Sequence, residues 1–257
     1  MVAGQSAFWS YFVGYGLAVT GLMSSVLHLG NKKNAWKAMS QWRSSWLSRE
    51  GVLAIVTLMI LAPLAITQIW HGPNVDVLGY IGAALCLVTV YCTAMIYAQL
   101  KTVPRWNQPL TPLLFLAFAL TGGAILAQQG SVVTLGVAII LALQVAHWML
   151  GDRAWSEGAD TANSATGLGG TDGTVRLLER PHTGKNYLTT EMVHMVGRKH
   201  AMRLRAIVVG LLILSAIALF MEPLVALLVL IFAALVSRWL FFAEAEHVVG
   251  LYYGRAK

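Results

Sequence analysis

Residues 204–242 read LRAIVVGLLILSAIALFMEPLVALLVLIFAALVSRWLFF. Two apolar runs, 204–221 and 224–242, flank a Met221-Glu222-Pro223 turn, and each is long enough to cross about 30 Å of hydrocarbon as a helix. Pro223 suits the first turn of the second helix, where its missing N–H costs no hydrogen bond. Outward from this pair, five more runs of the same kind recur at 6–27, 52–70, 78–100, 110–127 and 132–150, free of acidic residues and basic only at their edges. The 257 residues are 57% hydrophobic and 11% charged, against roughly 25% charged in a soluble domain. The predicted fold is all-α: a polytopic transmembrane helix bundle of about seven spans, with residues 1–257 forming a single integral membrane domain. The first run is too long for a signal peptide and has no basic region before it.

Orientation follows from Lys and Arg in the loops near span ends. Threading seven spans places Lys32, Lys33, Lys37, Arg43, Arg49, Lys101, Arg105, Arg153, Arg176, Arg180, Lys185, Arg198, Lys199, Arg203, Arg205, Arg255 and Lys257 on one side. Arg238 lies near that end of its helix, where it can snorkel. The opposite loops, 71–77, 128–131 and 221–223, hold no basic residue. The N terminus is therefore expected outside and the C terminus in the cytoplasm. The net charge of +7 sits beside lipid, which points to anionic headgroups or an acidic partner and away from nucleic acid. Cys86 and Cys92 fall six residues apart on one span, so they neither pair nor form a metal motif, and they read as small buried apolar side chains.

Two inner segments exceed simple connectors. Residues 28–50, HLGNKKNAWKAMSQWRSSWLSRE, carry Trp36, Trp42 and Trp46 among basic residues, a composition that suits a short interfacial helix and a cytoplasmic Trp/Arg platform. Residues 151–186 are rich in Gly, Ser and Thr and read as a cytoplasmic docking loop on the membrane surface. Both either cap the bundle or dock cytoplasmic subunits.

The middles of the spans hold no Asp, Glu, Lys or Arg, which argues against an ion-coupled transporter with a charged midplane site. His28, His147, His194, His200 and His247 gather at inner helix ends, with His182 in an inner loop and His71 alone outside. They serve as helix-capping cations or as parts of a quinone site, where an imidazole hydrogen-bonds a carbonyl and passes a proton. His28 favours the second role, because it ends an apolar span, precedes Gly30 and enters the Trp/Arg segment. A haem b would need two facing ligands, such as His147 with His194 or His200, but no spacing demands one, and the reading is against it. No metal ligand set and no catalytic residue of the chain's own is expected.

The stretches Leu27-His28-Leu29-Gly30 and Ser40 through Glu50 resemble the membrane anchor subunit of dimethyl sulfoxide reductase. So do Thr102-Val103-Pro104-Arg105-Trp106, Thr111-Pro112 and Arg238 through His247. The loop with Thr166 to Gly169 and Arg180 to Gly184, followed by Arg198-Lys199-His200, is similar within that family to anchors of cytoplasmic membrane-bound sulfite dehydrogenase. The likeness covers nearly the whole chain. It implies an anchor in the bacterial inner (cytoplasmic) membrane, joined on the cytoplasmic side through an iron–sulfur subunit to a molybdopterin catalytic subunit. Molybdopterin and iron–sulfur clusters would then belong to the partners, and the anchor would hold ubiquinone or menaquinone near the closest cluster. The quinol-binding role of the motif histidine carries onto His28. The family's Arg six residues later is Asn34 here, leaving Lys33, Arg43 and Arg49 as the candidate cations. The family usually has one more helix before the one ending in His-Leu-Gly, eight in all; the sequence here starts where the second is expected, so the first is either lost or lies ahead of it.

The expected function is passage of electrons from sulfite oxidation to the quinone pool. Arg43 and Arg49 would stabilise developing negative charge, Trp42 and Trp46 would wall the ring, and Glu50 would relay protons or pair with Arg49. The alternatives are a reductase-type anchor running quinol oxidation and a non-redox scaffold or transporter.

Overall fold

A computed structural model of the protein describes residues 2–27, 35–69, 76–158, 161–168, 175–176, 178–179, 184 and 199–253. Among the described residues every regular element is helical. Five helices among the described residues contain stretches long and apolar enough to cross a membrane: Trp46–Ile66, Val77–Ala98, Gly130–Ser156, Ala201–Ala218 and Pro223–Ala243. Shorter apolar helical stretches run over Tyr11–Ser24 and Leu110–Leu126. Their apolar side chains face outward as well as inward: Leu135, Met149, Phe232 and Leu235 are all more than half exposed. That is the pattern of helices solvated by lipid rather than water. Where hydropathy shows no boundary, packing separates two compact units, residues 1–96 with 126–128 and residues 97–125 with 129–257.

The first unit contains α1 (Val2–Leu27), a short α2 (Ala35–Ser40), α3 (Trp46–Ile69) and most of α4 (Asp76–Ala98). The contacts of α3 with α4 descend in step. Glu50 meets Thr93, Thr57 meets Thr89, Leu61 meets Gly82 and Leu64 meets Gly79, which fixes an antiparallel pair. At Gly82 a Cβ would come 2.7 Å from Leu61 Cγ. Glycine there lets the helices approach, as packing in lipid requires. The α1 helix packs on α3, and the Tyr15 hydroxyl donates to Leu58 O at 2.5 Å.

The second unit holds α5 (Leu110–Leu126), α6 (Gly130–Ser156), a five-residue α7 (Ala162–Thr166), α8 (Ala201–Ala218) and α9 (Pro223–Ala243), closed by a 3-10 turn over Val248–Tyr253. Pro223 does open α9, and the α8–α9 hairpin buries Val208, Leu212, Ser215 and Ala218 at helical spacing. The Ser215 hydroxyl donates to Ala226 O at 2.8 Å across it.

Two helices overrun their apolar limits by six residues at one end. α3 starts at Trp46 instead of 52, because the Ser45 hydroxyl accepts from Ser48 N–H at 3.4 Å in N-cap fashion. α6 runs on to Ser156, past the expected start of the docking loop, and its last turn carries an Arg153–Glu157 pair at 2.9 Å. Polar residues do not stop a helix at the membrane surface, so hydropathy underestimates both.

Candidate functional site

In the first unit, α1, α3 and α4 enclose a cleft of about 600 Å³. Each helix contributes one face at 3-4 spacing: Tyr11, Gly14, Tyr15, Ala18 and Gly21 from α1, then Glu50, Ala54, Thr57 and Leu61 from α3, then Cys86, Thr89, Val90 and Thr93 from α4. One end is polar. There the Thr93 hydroxyl donates to Glu50 Oε1 at 2.8 Å, and Glu50 bonds Thr93 rather than Arg49. Farther in, Thr57 and Thr89 donate back to Leu53 O and Leu85 O of their own helices, at 2.6 and 2.8 Å. Tyr15 is likewise engaged by Leu58 O, so the hydroxyls at this depth are turned to backbone carbonyls among largely apolar walls.

The start of α3 builds a cationic cap one turn from that polar end. Arg49 donates from Nε to Trp42 O at 2.9 Å and from Nη2 to Arg43 O at 2.6 Å, so it clamps the turn before its helix. Its guanidinium lies 4.3 Å from the Trp46 ring centre, and Trp46 in turn stands edge-on to Tyr91 of α4 at 6.0 Å. Arg43 covers the Trp42 ring at 5.5 Å. Arg is suited to this geometry because its planar fork can donate in two directions while stacking.

The second unit gathers its charge at helix ends. Asp152 of α6 receives Arg105 at 2.7 Å and both terminal nitrogens of Arg205 at 2.7 and 2.8 Å. Arg205 also bonds Glu244 Oε1 at 2.7 Å, and Arg105 Nε donates to Glu244 O at 3.1 Å. Burial pushes the Glu244 carboxyl above its ordinary pKa, while Arg105 and Arg205 pull it down. Beside this network Trp106 stacks on Phe241 at 5.1 Å and donates to Phe241 O at 2.9 Å. Val248 N–H reaches Thr102 O at 2.9 Å.

Residues 5–253 match the family described as DMSO reductase anchor subunit (DmsC). The chain belongs to that family. The anchor subunit is also 30% identical to the C subunit of sulfite dehydrogenase from Allochromatium vinosum, over 92% of this chain and 82% of that relative. No solved structure matches.

Of the site residues expected in the anchor subunit, Glu50 lines the cleft, whereas Trp42, Arg43, Trp46 and Arg49 form the cap beside it and do not line it. Trp42 is 53% exposed. His28 and Lys33 lie outside the described residues, as do His182 and His194. His147 is buried, with Nε2 3.2 Å from the Thr111 hydroxyl. Cys92 is buried as expected, but Cys86 is exposed and stands in the cleft wall. Arg238 does not extend past its helix end. Its guanidinium lies 3.7 Å over Phe115 and 5.2 Å from Phe241, held by aromatic faces.

Sequence reasoning missed the four-residue network of the anchor subunit. Arg105 and Glu244 each sit in a motif carrying the family likeness, and the two motifs meet across Trp106 and Phe241. Asp152 and Arg205 sit at the expected limits of two runs, and nothing in their spacing marks them as a pair.

Proposed function

We propose that this protein is the membrane anchor and quinone-binding subunit of a molybdenum/iron–sulfur oxidoreductase of the bacterial inner membrane, passing electrons from sulfite oxidation to the quinone pool. The observation that carries the reading is the cleft of about 600 Å³ with Glu50 and Thr93 at one end and apolar walls beyond. Its size falls in the range of small-molecule sites, and the division into a polar end and an apolar length fits a ring with a hydrocarbon tail. A ubiquinone or menaquinone held there supplies the two-electron, two-proton chemistry of the step. Kinship with the sulfite dehydrogenase of Allochromatium vinosum, through its C subunit, supports sulfite as the partner's substrate.

The chain's own residues supply position, charge and protons. Glu50 presents a carboxyl at the polar end, hydrogen-bonded to Thr93 and placed to exchange protons with the cytoplasm. His28, directly after α1 in sequence, adds an imidazole to donate a hydrogen bond and pass a proton. Arg43 and Arg49 favour negative charge developing close by, and Trp42 and Trp46 hold those guanidinium groups in place. The iron–sulfur and molybdopterin subunits sit on the cytoplasmic side, facing the Trp/Arg platform and the loop over 151–186. The N terminus is outside and the C terminus inside.

The test is His28→Leu, which keeps much of the volume and removes both imidazole functions. Assembly and turnover with an artificial soluble acceptor should persist, while quinone-linked turnover drops roughly 10²-fold or more, the scale of a lost acid–base group. Normal quinone-linked turnover in the assembled variant refutes the assignment of His28.

A further inference from the structure

Resting on the quinone reading above, we propose that the length of the cleft away from Glu50 is a binding groove for the quinone's polyisoprenoid tail, and that Gly14 and Ala18 of α1 keep it open. Register comes first. The Tyr15 to Leu58 bond, with α1 antiparallel to α3, brings Leu22 level with the Glu50 turn and Tyr11 level with Leu61. The cleft therefore follows the helix axes from Glu50 to Leu61, a length of about 16 Å at 1.5 Å per residue. A quinone ring needs only the first part of that length.

Polarity assigns the two parts. At the first level Glu50 has a second carboxyl oxygen beyond its bond from Thr93, which accepts from a quinol hydroxyl or, when protonated, donates to a ring carbonyl. Below it the hydroxyls of Thr57, Thr89 and Tyr15 are already donating to backbone carbonyls, which leaves the weakly donating Cys86 thiol at mid-depth and the Tyr11 phenol at the far end, away from Glu50. Leu17, Leu58, Leu61 and Val90 complete an apolar lining suited to hydrocarbon. A Cβ at Gly14 would meet no atom within 4 Å, so glycine is not required there by helix packing. Its smallness serves the open space instead. Continuity between the polar end and this groove selects one occupant, a chain attached to the group bound at Glu50, over an independent lipid acyl chain.

The experiment places Leu at Gly14, with Ala18→Leu as a second variant, in the purified complex. Quenching of tryptophan fluorescence gives the affinity for a long-tailed quinone and for a tail-less analogue, and extraction gives the quinone retained through purification. Either variant should weaken the long-tailed quinone about tenfold or more, equivalent to losing roughly two buried methylenes. The tail-less analogue should change much less, and retained quinone should fall. Equal weakening of both ligands overturns the groove, since the substitution then acts on the ring site. So does unchanged binding of both while His28→Leu abolishes it, an outcome that leaves the quinone reading standing. Phospholipid recovered in place of quinone, with tail length irrelevant to affinity, overturns it as well. If the unaltered complex binds neither quinone, the quinone reading itself fails.

Discussion

Arg205 grips Asp152 with both of its terminal nitrogens, at 2.7 and 2.8 Å, and so ties the start of α8 to the end of α6. Its side chain is 15% exposed, and its second partner, Glu244, is 5% exposed. Charges this sheltered depend on one another. Arg205→Met strands the Glu244 carboxylate and should cost about 3 kcal/mol of stability. Adding Glu244→Gln should recover part of that loss, because the orphaned charge disappears. Thermal unfolding of the detergent-purified protein reads both, and strictly additive losses would show that the pair does not act as a unit.

Glu50 lends itself to a replacement that separates bonding from proton transfer. Glu50→Gln still accepts from the Thr93 hydroxyl, now 2.8 Å from Oε1, but cannot release a proton. Quinone-linked turnover should fall roughly 10²-fold and lose its alkaline limb, where a carboxylate can no longer donate, with turnover on a soluble acceptor intact. Thr93→Val, which removes the hydrogen bond alone, should shift the pH profile with a smaller loss of rate. A Gln variant with full quinone-linked turnover would exclude Glu50 from the proton route.

His247 predicts a pH dependence of stability. Its Nδ1 accepts from Val249 N–H at 3.0 Å, which requires an unprotonated nitrogen, and burial lowers the imidazole pKa from its ordinary 6.5. With the folded-state pKa depressed, unfolding takes up a proton. The stabilisation is complete above pH 6.5 and is lost as pH falls through the folded-state value. The melting temperature should therefore drop between about pH 7.5 and about pH 5.5. His247→Asn, which can still accept from Val249 without titrating, should flatten that drop. An identical slope in the variant would assign it to another group.

Topology is open to chemical labelling. Single cysteines within 71–77 or 128–131, in a background lacking Cys86 and Cys92, should react with an impermeant thiol reagent added to intact cells. Positions in 151–186 should react only after the membrane is opened. Labelling of 151–186 from outside would reverse the orientation and move the partner subunits with it.

The apolar runs were legible because lipid imposes a single requirement on every spanning residue, so the centres of α3, α4, α6, α8 and α9 lie where hydropathy puts them. Their ends were less so. Ser45 begins α3 through a local hydrogen bond, and α6 outlasts its apolar stretch by six residues, since helix formation and hydrophobicity part company at the surface. The Trp/Arg segment was recognisable by composition, but that Arg49 would clamp its own preceding turn and leave Glu50 to Thr93 depends on side-chain direction around a helix start. The Arg105–Asp152–Arg205–Glu244 network unites residues from four separate stretches, each ordinary alone. The stacking of Trp106 on Phe241, with the hydrogen bonds beside it, brings two of them together.

Cys86 gives the cleft a built-in reporter. Its thiol stands in the α4 wall, accessible yet flanked by apolar neighbours, at the depth where Tyr15 crosses to Leu58. A slim, lipid-soluble alkylating reagent must enter the same space to reach it. Whatever fills the cleft shields the sulfur, and whatever leaves exposes it. The rate of alkylation thus becomes a clock for residence, readable by mass spectrometry without turnover, an electron donor or any partner subunit.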